Sequence, residues 1–189
     1  MLTRNYDSLM TGFMTILPAS GYTPTEADWL GGMPGAVKIH TGEVKPIYRY
    51  PFNDYTIFGN ESAFDNYSKL QNSNSSSGTM PFLLVGGNNA TETYNDYHLD
   101  ILENLTVVGY RSAGIAHSSD GCVYTTVKTF INNTENDITV NELGIYAHCS
   151  SNNYVLLYRK KLDKPVTLKA KGGSASFSLD IDIPYANKP

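Results

Sequence analysis

The chain has 189 residues, 41% of them apolar and 12% aromatic, which is enough to bury a core and too aromatic for a disordered chain. Charged residues make up only 17%, so Asn, Ser, Thr and Tyr must cover much of the surface. The net charge of −4 argues against a dedicated nucleic-acid binder, and no apolar run reaches the ~18 residues of a membrane span.

The opening Met1-Leu2-Thr3-Arg4-Asn5-Tyr6-Asp7 lacks the long apolar run of a secretion signal, so assembly in a cytoplasm is expected. A reducing compartment would leave Cys122 and Cys149 as free thiols, and the Asn-x-Ser/Thr sequons without glycans. Asn5 to Leu17 is predicted as a helix, with Asn5 as its cap and Pro18 as its stop. Leu9, Phe13 and Ile16 recur at i, i+4 and i+7, flanked by Tyr6, Met10 and Met14. So wide an apolar stripe on so short a helix must pack against something. Thr23 to Thr79 is punctuated by Pro24, Gly31-Gly32, Pro34-Gly35, Pro46 and Pro51 and reads as irregular. Tyr48, Tyr50, Phe52, Tyr55 and Phe58 are spread through it without a period. Gln71 to Gly78 is a flexible loop by composition.

From Pro81 the pattern becomes β. Pro81 to Val85 is a short strand. Leu105 to His117 and Cys122 to Ile131 flank Asp120-Gly121, a strong hairpin signal. Asn132 to Asp137 is the next turn, and Ile138 to His148 the next strand. Tyr154 to Arg159 and Pro165 to Leu168 follow. In the last strand Ala175, Phe177, Leu179, Ile181 and Ile183 face one way, while Ser176, Ser178, Asp180 and Asp182 face the other. The expected fold is mainly β: an antiparallel β-sandwich, jelly-roll or immunoglobulin-like, over 80–189. Residues 1–79 supply an N-terminal helix and a long irregular aromatic-rich extension. Along Ile138 to Tyr146 the parity slips, because Ile138 and Val140 share one face and Leu143 and Ile145 the other. A structural bulge at Asn141 and Glu142, with Gly144 tolerating the tighter backbone, would return Leu143 to the core. Glu142 would then bond backbone N–H groups or a basic partner such as Arg159.

The chain carries no Gly-x-Ser-x-Gly elbow and no phosphate-loop motif, and its four histidines are not at metal-ligand spacing. His98 between Asp96 and Asp100, and His117 near Asp120, read as polar surface. Asp180 and Asp182 read as a solvated strand face. No catalytic residue, metal site or cofactor is expected, and the chain is expected not to be an enzyme. Fourteen tyrosines and Trp29 suit protein interfaces first and host glycans second. Charge is uneven: residues 1–99 hold five basic and nine acidic residues. The stretch Arg159 to Lys171 holds six basic residues against Asp163 alone. That ribbon can be a solvated edge or a subunit contact.

Several stretches, in order, resemble virion structural proteins of tailed bacteriophages. Phe82-Leu83-Leu84-Val85-Gly86-Gly87-Asn88-Asn89, then Asp96-Tyr97-His98-Leu99, is similar to their strand, glycine turn and D-x-x-L opening, with Gly86-Gly87-Asn88 departing from the usual G-x-G. Thr129-Phe130-Ile131-Asn132-Asn133-Thr134 resembles a T-F-x-N-x-T turn of that family. Ile138-Thr139-Val140-Asn141-Glu142-Leu143-Gly144-Ile145-Tyr146 resembles an I-x-I-x-E-I-G-L-Y strand. Leu156-Leu157-Tyr158-Arg159 and Pro165-Val166-Thr167-Leu168 complete the order. The resemblance covers roughly 81–184 and the first few residues. It implies a repeated subunit of the tail, collar or head–tail neck connector, located in the virion after assembly in the host cytoplasm. Its partners would be itself, as a homo-oligomeric ring, and other virion proteins, with no membrane and no specific nucleic acid. The alternatives are a head-surface fibre or decoration protein, or a host-glycan receptor-binding module.

The residues themselves suggest where copies would meet. Leu9, Phe13 and Ile16, the aromatics Tyr48, Tyr50, Phe52, Tyr55 and Phe58, and the basic Arg159, Lys160 and Lys161 form the expected interface. An acidic front could then meet the basic ribbon of the next copy.

Overall fold

The computed structural model describes residues 1–8, 23–46, 82–111, 115–117, 121–150 and 153–184. The chain is mainly β, built from antiparallel sheets with two short helices. Residues 4–8 are helical (α1) and Glu26–Leu30 form α2. The strands are β1 (Ala36–Lys38), β2 (Val44–Pro46), β3 (Phe82–Gly86), β4 (Leu105–Arg111), β5 (Ile115–His117), β6 (Gly121–Asn132), β7 (Ile138–Ser150), β8 (Asn153–Leu168) and β9 (Gly173–Pro184).

One sheet runs β3–β7–β8. In the other, β6 is flanked by β4 and β5 on one side and by β9 on the other. The long connection between β3 and β4 carries the chain from the first sheet to the second, and two short crossings follow, after β6 at 133–137 and after β8 at 169–172. Asn132, fully buried, ties the two short crossings together. Its Nδ2 donates to the Leu168 carbonyl (3.0 Å) and the Asn136 carbonyl (2.8 Å), and its Oδ1 accepts from the Thr134 N–H and hydroxyl. Lys171 (φ 58°) and Gly172 (φ 113°) take the left-handed backbone that the crossing after β8 needs. The Lys171 and Gly172 N–H groups donate to the Thr134 and Asn132 carbonyls.

A single apolar cluster draws on both sheets: Leu83 and Val85, Leu105 and Val107, Phe130, Val140, Leu143 and Ile145, Leu168, Phe177 and Leu179. On β9 the alternation is as expected from the sequence: Phe177 and Leu179 are buried, and Ser176, Ser178 and Asp180 are exposed. The opposite face of the β3–β7–β8 sheet is also buried. There Leu84, Tyr146 and Leu156 pack against Leu99, which belongs to the long connection between β3 and β4.

Several expectations change. Asn5 does not cap a helix; it is buried within the turn at 4–8, and its side chain pairs with the backbone of Lys38. The rest of the Asn5–Leu17 prediction lies outside the described residues. The stretch 23–46, read as irregular, holds a capped helix and a hairpin. Thr25 and Asp28 form a capping box, a T-x-x-D signal present in the sequence. Leu105 to His117 is divided into β4 and β5, whereas the expected segments Tyr154 to Arg159 and Pro165 to Leu168 form one continuous β8.

Candidate functional site

The parity slip in β7 is a register shift. Against β8, Val140 faces Val166 and Glu142 faces Lys161, so Asn141 alone stands opposite 162–165 and the extra residues lie on β8, not on β7 as the sequence suggested. The shift turns Leu143 and Ile145 into the shared core and puts Glu142, Gly144 and Tyr146 on the opposite face. Asn141 Nδ2 donates to the Gly87 carbonyl at 2.6 Å and so ties the shift to the end of β3.

Glu142 is fully buried, and both of its carboxylate oxygens are occupied. Oε1 accepts from the Asp100 N–H (2.9 Å) and Oε2 accepts from Arg159 Nε (2.7 Å). Glu142 lies against Gly86, where an added Cβ would come within 2.3 Å of Oε1. Arg159, only 4% exposed, donates from Nη1 to Asp96 (2.7 Å) and from Nη2 to the Ala90 carbonyl (3.2 Å). The neighbouring Lys161 N–H donates to Glu92 (2.7 Å). Burial of the guanidinium works against its charge, but the hydrogen bonds and fields of Asp96 and Glu142 override it and raise its pKa. Burial likewise works against the Asp96 charge, and donors from Thr93 and Arg159 override it, holding that carboxyl below its usual range.

These contacts fasten the connection between β3 and β4 to the sheet. Tyr146 adds another, its hydroxyl accepting from the Leu99 N–H at 2.7 Å. Gly144 makes room for the fit: a Cβ there would meet Leu99 at 2.7 Å and Leu156 at 2.9 Å. Gly144 therefore serves close packing rather than an unusual backbone angle. A buried carboxylate with one oxygen on a guanidinium and the other on a backbone N–H is held in place from both sides, so the constellation acts as a lock.

Arg159, offered by sequence to a partner subunit, is turned inward. Lys160 is exposed and Lys161 half-buried. Of the other ribbon lysines, Lys169 and Lys171 pair at the surface with Asp137 and Glu135, and Lys164 is exposed. Leu9, Phe13, Ile16, Tyr48, Tyr50, Phe52, Tyr55 and Phe58 lie outside the described residues. His98 is exposed and its ring packs tilted against Tyr97, centroids 4.4 Å apart, while its neighbour Asp96 is held by Arg159. Among the described residues, no group of three or more His, Cys, Asp or Glu is placed to hold a metal ion. None of their helices is long and apolar enough to cross a membrane.

A second constellation was not anticipated from sequence. Asn5 Oδ1 accepts from Trp29 Nε1 (3.0 Å) and the Lys38 N–H (2.8 Å), and its Nδ2 donates to the Lys38 carbonyl (2.8 Å). The Lys38 ammonium lies over Trp29 and Tyr97, and Arg4 lies over Tyr94. Residues 1–3 run along β8, with the Thr3 N–H donating to the Leu157 carbonyl and the Arg159 N–H to the Met1 carbonyl. Asn5 is informative only once its neighbours are known, because no short spacing links it to Trp29 or Lys38.

The chain matches no family model, no curated protein and no solved structure.

Proposed function

We propose that this chain is a non-enzymatic structural subunit of a tailed-phage virion, in the tail or head–tail neck, repeated in contact with itself and other virion proteins. One observation supports the reading above the rest. The charged members of the stretches that resemble virion proteins, Asp96, Glu142 and Arg159, are consumed by bonds to one another and to backbone. They build a frame and leave no reactive group exposed among them. On this reading the two sheets, sharing one core, form a β-sandwich, and the fastened connection between β3 and β4 stiffens one of its outer faces. The test is to locate the chain in a cryo-EM map of intact particles from the phage that encodes it. Repeated density at the tail or neck is the expected result. Absence of the chain from purified particles would overturn the proposal.

A further inference from the structure

Among the described residues, each of the two larger sheets has two edges, and three of the four carry a covering segment or a register shift. Residues 1–3 lie along β8. Ile101 bridges to Gly86 at the end of β3, and the Leu102 N–H donates to the Val85 carbonyl. β4 carries a register shift between Val107 and Gly109. Among the described residues the far side of β9 has neither a covering segment nor a register shift, and its only charged residues are Asp180 and Asp182. Its register with β6 runs unbroken from Gly173 to Pro184, and the strand has no Lys, no Arg and no Pro before its last residue. Among the described residues no strand pairs with that far side. Monomeric proteins commonly blunt such an edge with charge, proline or a bulge, because its free N–H and C=O groups template pairing.

We infer that the β9 edge is a two-fold contact between copies of this chain, with β9 adding antiparallel to β9 of a second copy. Directly opposed residues in an antiparallel pair share a face, so the two copies must join like face to like face. A pairing centred on Ser178 gives nearly the whole strand a partner. It sets Ser176 against Asp180, Ser174 against Asp182, and Phe177 against Leu179. Centring on Asp180 would instead oppose two carboxylates. The hydroxyl–carboxylate complementarity is already used on the other side of β9. There Thr125 donates to Asp180 at 2.7 Å, and Thr129 and Ser176 share a hydrogen bond of 2.7 Å. A second copy thus repeats a pairing chemistry that β9 makes with β6, and the contact is isologous.

As an account of how copies meet, this rests on the assembly reading above. The full chain is expected to sediment as a dimer at about 0.1 mM, and Ser178→Lys, on an exposed position, to weaken dimerisation at least roughly tenfold. The thermal midpoint of the diluted protein should stay unchanged in that variant. With Cys122 and Cys149 replaced by Ser, Ser178→Cys should form a disulfide-linked dimer on oxidation. Ser174→Cys should not, because mates at that position lie about 26 Å apart at ~3.3 Å per residue. In the unmodified chain, amide exchange across β9 should slow as concentration rises. A monomer at that concentration, or equal cross-linking at positions 174 and 178, overturns the contact. A chain that is monomeric in solution yet present in particles overturns the edge contact alone and leaves the virion reading standing.

Discussion

Glu142 and Arg159 show why a buried ion pair is a frame rather than a stability reserve. Two charges out of water are tolerated because each is fully hydrogen-bonded, and removing one partner strands the other. Arg159→Met should therefore destabilise the fold by about 3 kcal/mol or more in urea unfolding. A loss under about 1 kcal/mol would place Arg159 at the surface instead. Gly144→Val should cost about 1–3 kcal/mol by driving a side chain into Leu99 and Leu156. Trimming Leu99 to Ala in the same chain should recover part of that loss, since the two sites touch. Asp96 contributes to the acid limb of stability. Its folded pKa is depressed, so its contribution is present above the unfolded value and is lost as pH falls through the folded one. Urea midpoints should fall below about pH 4, and Asp96→Asn should flatten that fall. The parity of Val140 and Leu143 announced the shift at Asn141 and pointed to Arg159 as the partner of Glu142. Asp96 and Ala90 could not be foreseen, because a long connection places them there and periodicity says nothing about where a loop returns.

At the scale of elements, alternation was legible where one face is wet and the other dry, as on β9. It was misleading where both faces are buried. β8 reads as two segments because its first half packs on both sides and its middle turns basic, yet its backbone pairs with β7 on either side of the register shift. The helix α2 was hidden by the glycines and prolines around it, although its capping box was in plain view. The attachment of residues 23–46 through Asn5 has a direct readout, because Trp29 is the chain's one tryptophan. Asn5→Ala leaves the buried Trp29 N–H without its acceptor, at a cost of about 1–3 kcal/mol. Tryptophan emission should then shift to the red at lower urea than the loss of sheet signal. Coincident transitions would mean that residues 23–46 unfold only with the sheets. Deleting residues 1–8 should do more harm than loss of a tail, because it uncovers the β8 edge at Leu157–Arg159 and removes Asn5. Light scattering of that truncated chain should report aggregation.

For the whole molecule, charge is the remaining lever on assembly, and the structure narrows it. Arg159 is spent internally, and Lys169 and Lys171 face carboxylates of the preceding turn. What the ribbon can offer a neighbour is Lys160, Lys164 and the half-buried Lys161. Exposed charges at this spacing steer encounter and set register more than they hold a complex together. Reversing Lys160 and Lys164 to Glu should therefore leave the urea midpoint of the isolated chain nearly unchanged, since neither lysine forms an ion pair among the described residues. It should slow incorporation into particles in about 0.05 M salt and lose most of that effect near 0.5 M, where the screening length falls to roughly 4 Å. An incorporation rate equally low at both salt concentrations would mean that the lysines make close contacts rather than a field. A rate unchanged at both would mean that this face of β8 looks onto solvent in the particle, leaving the free edge of β9 and residues beyond the described ones to bring copies together.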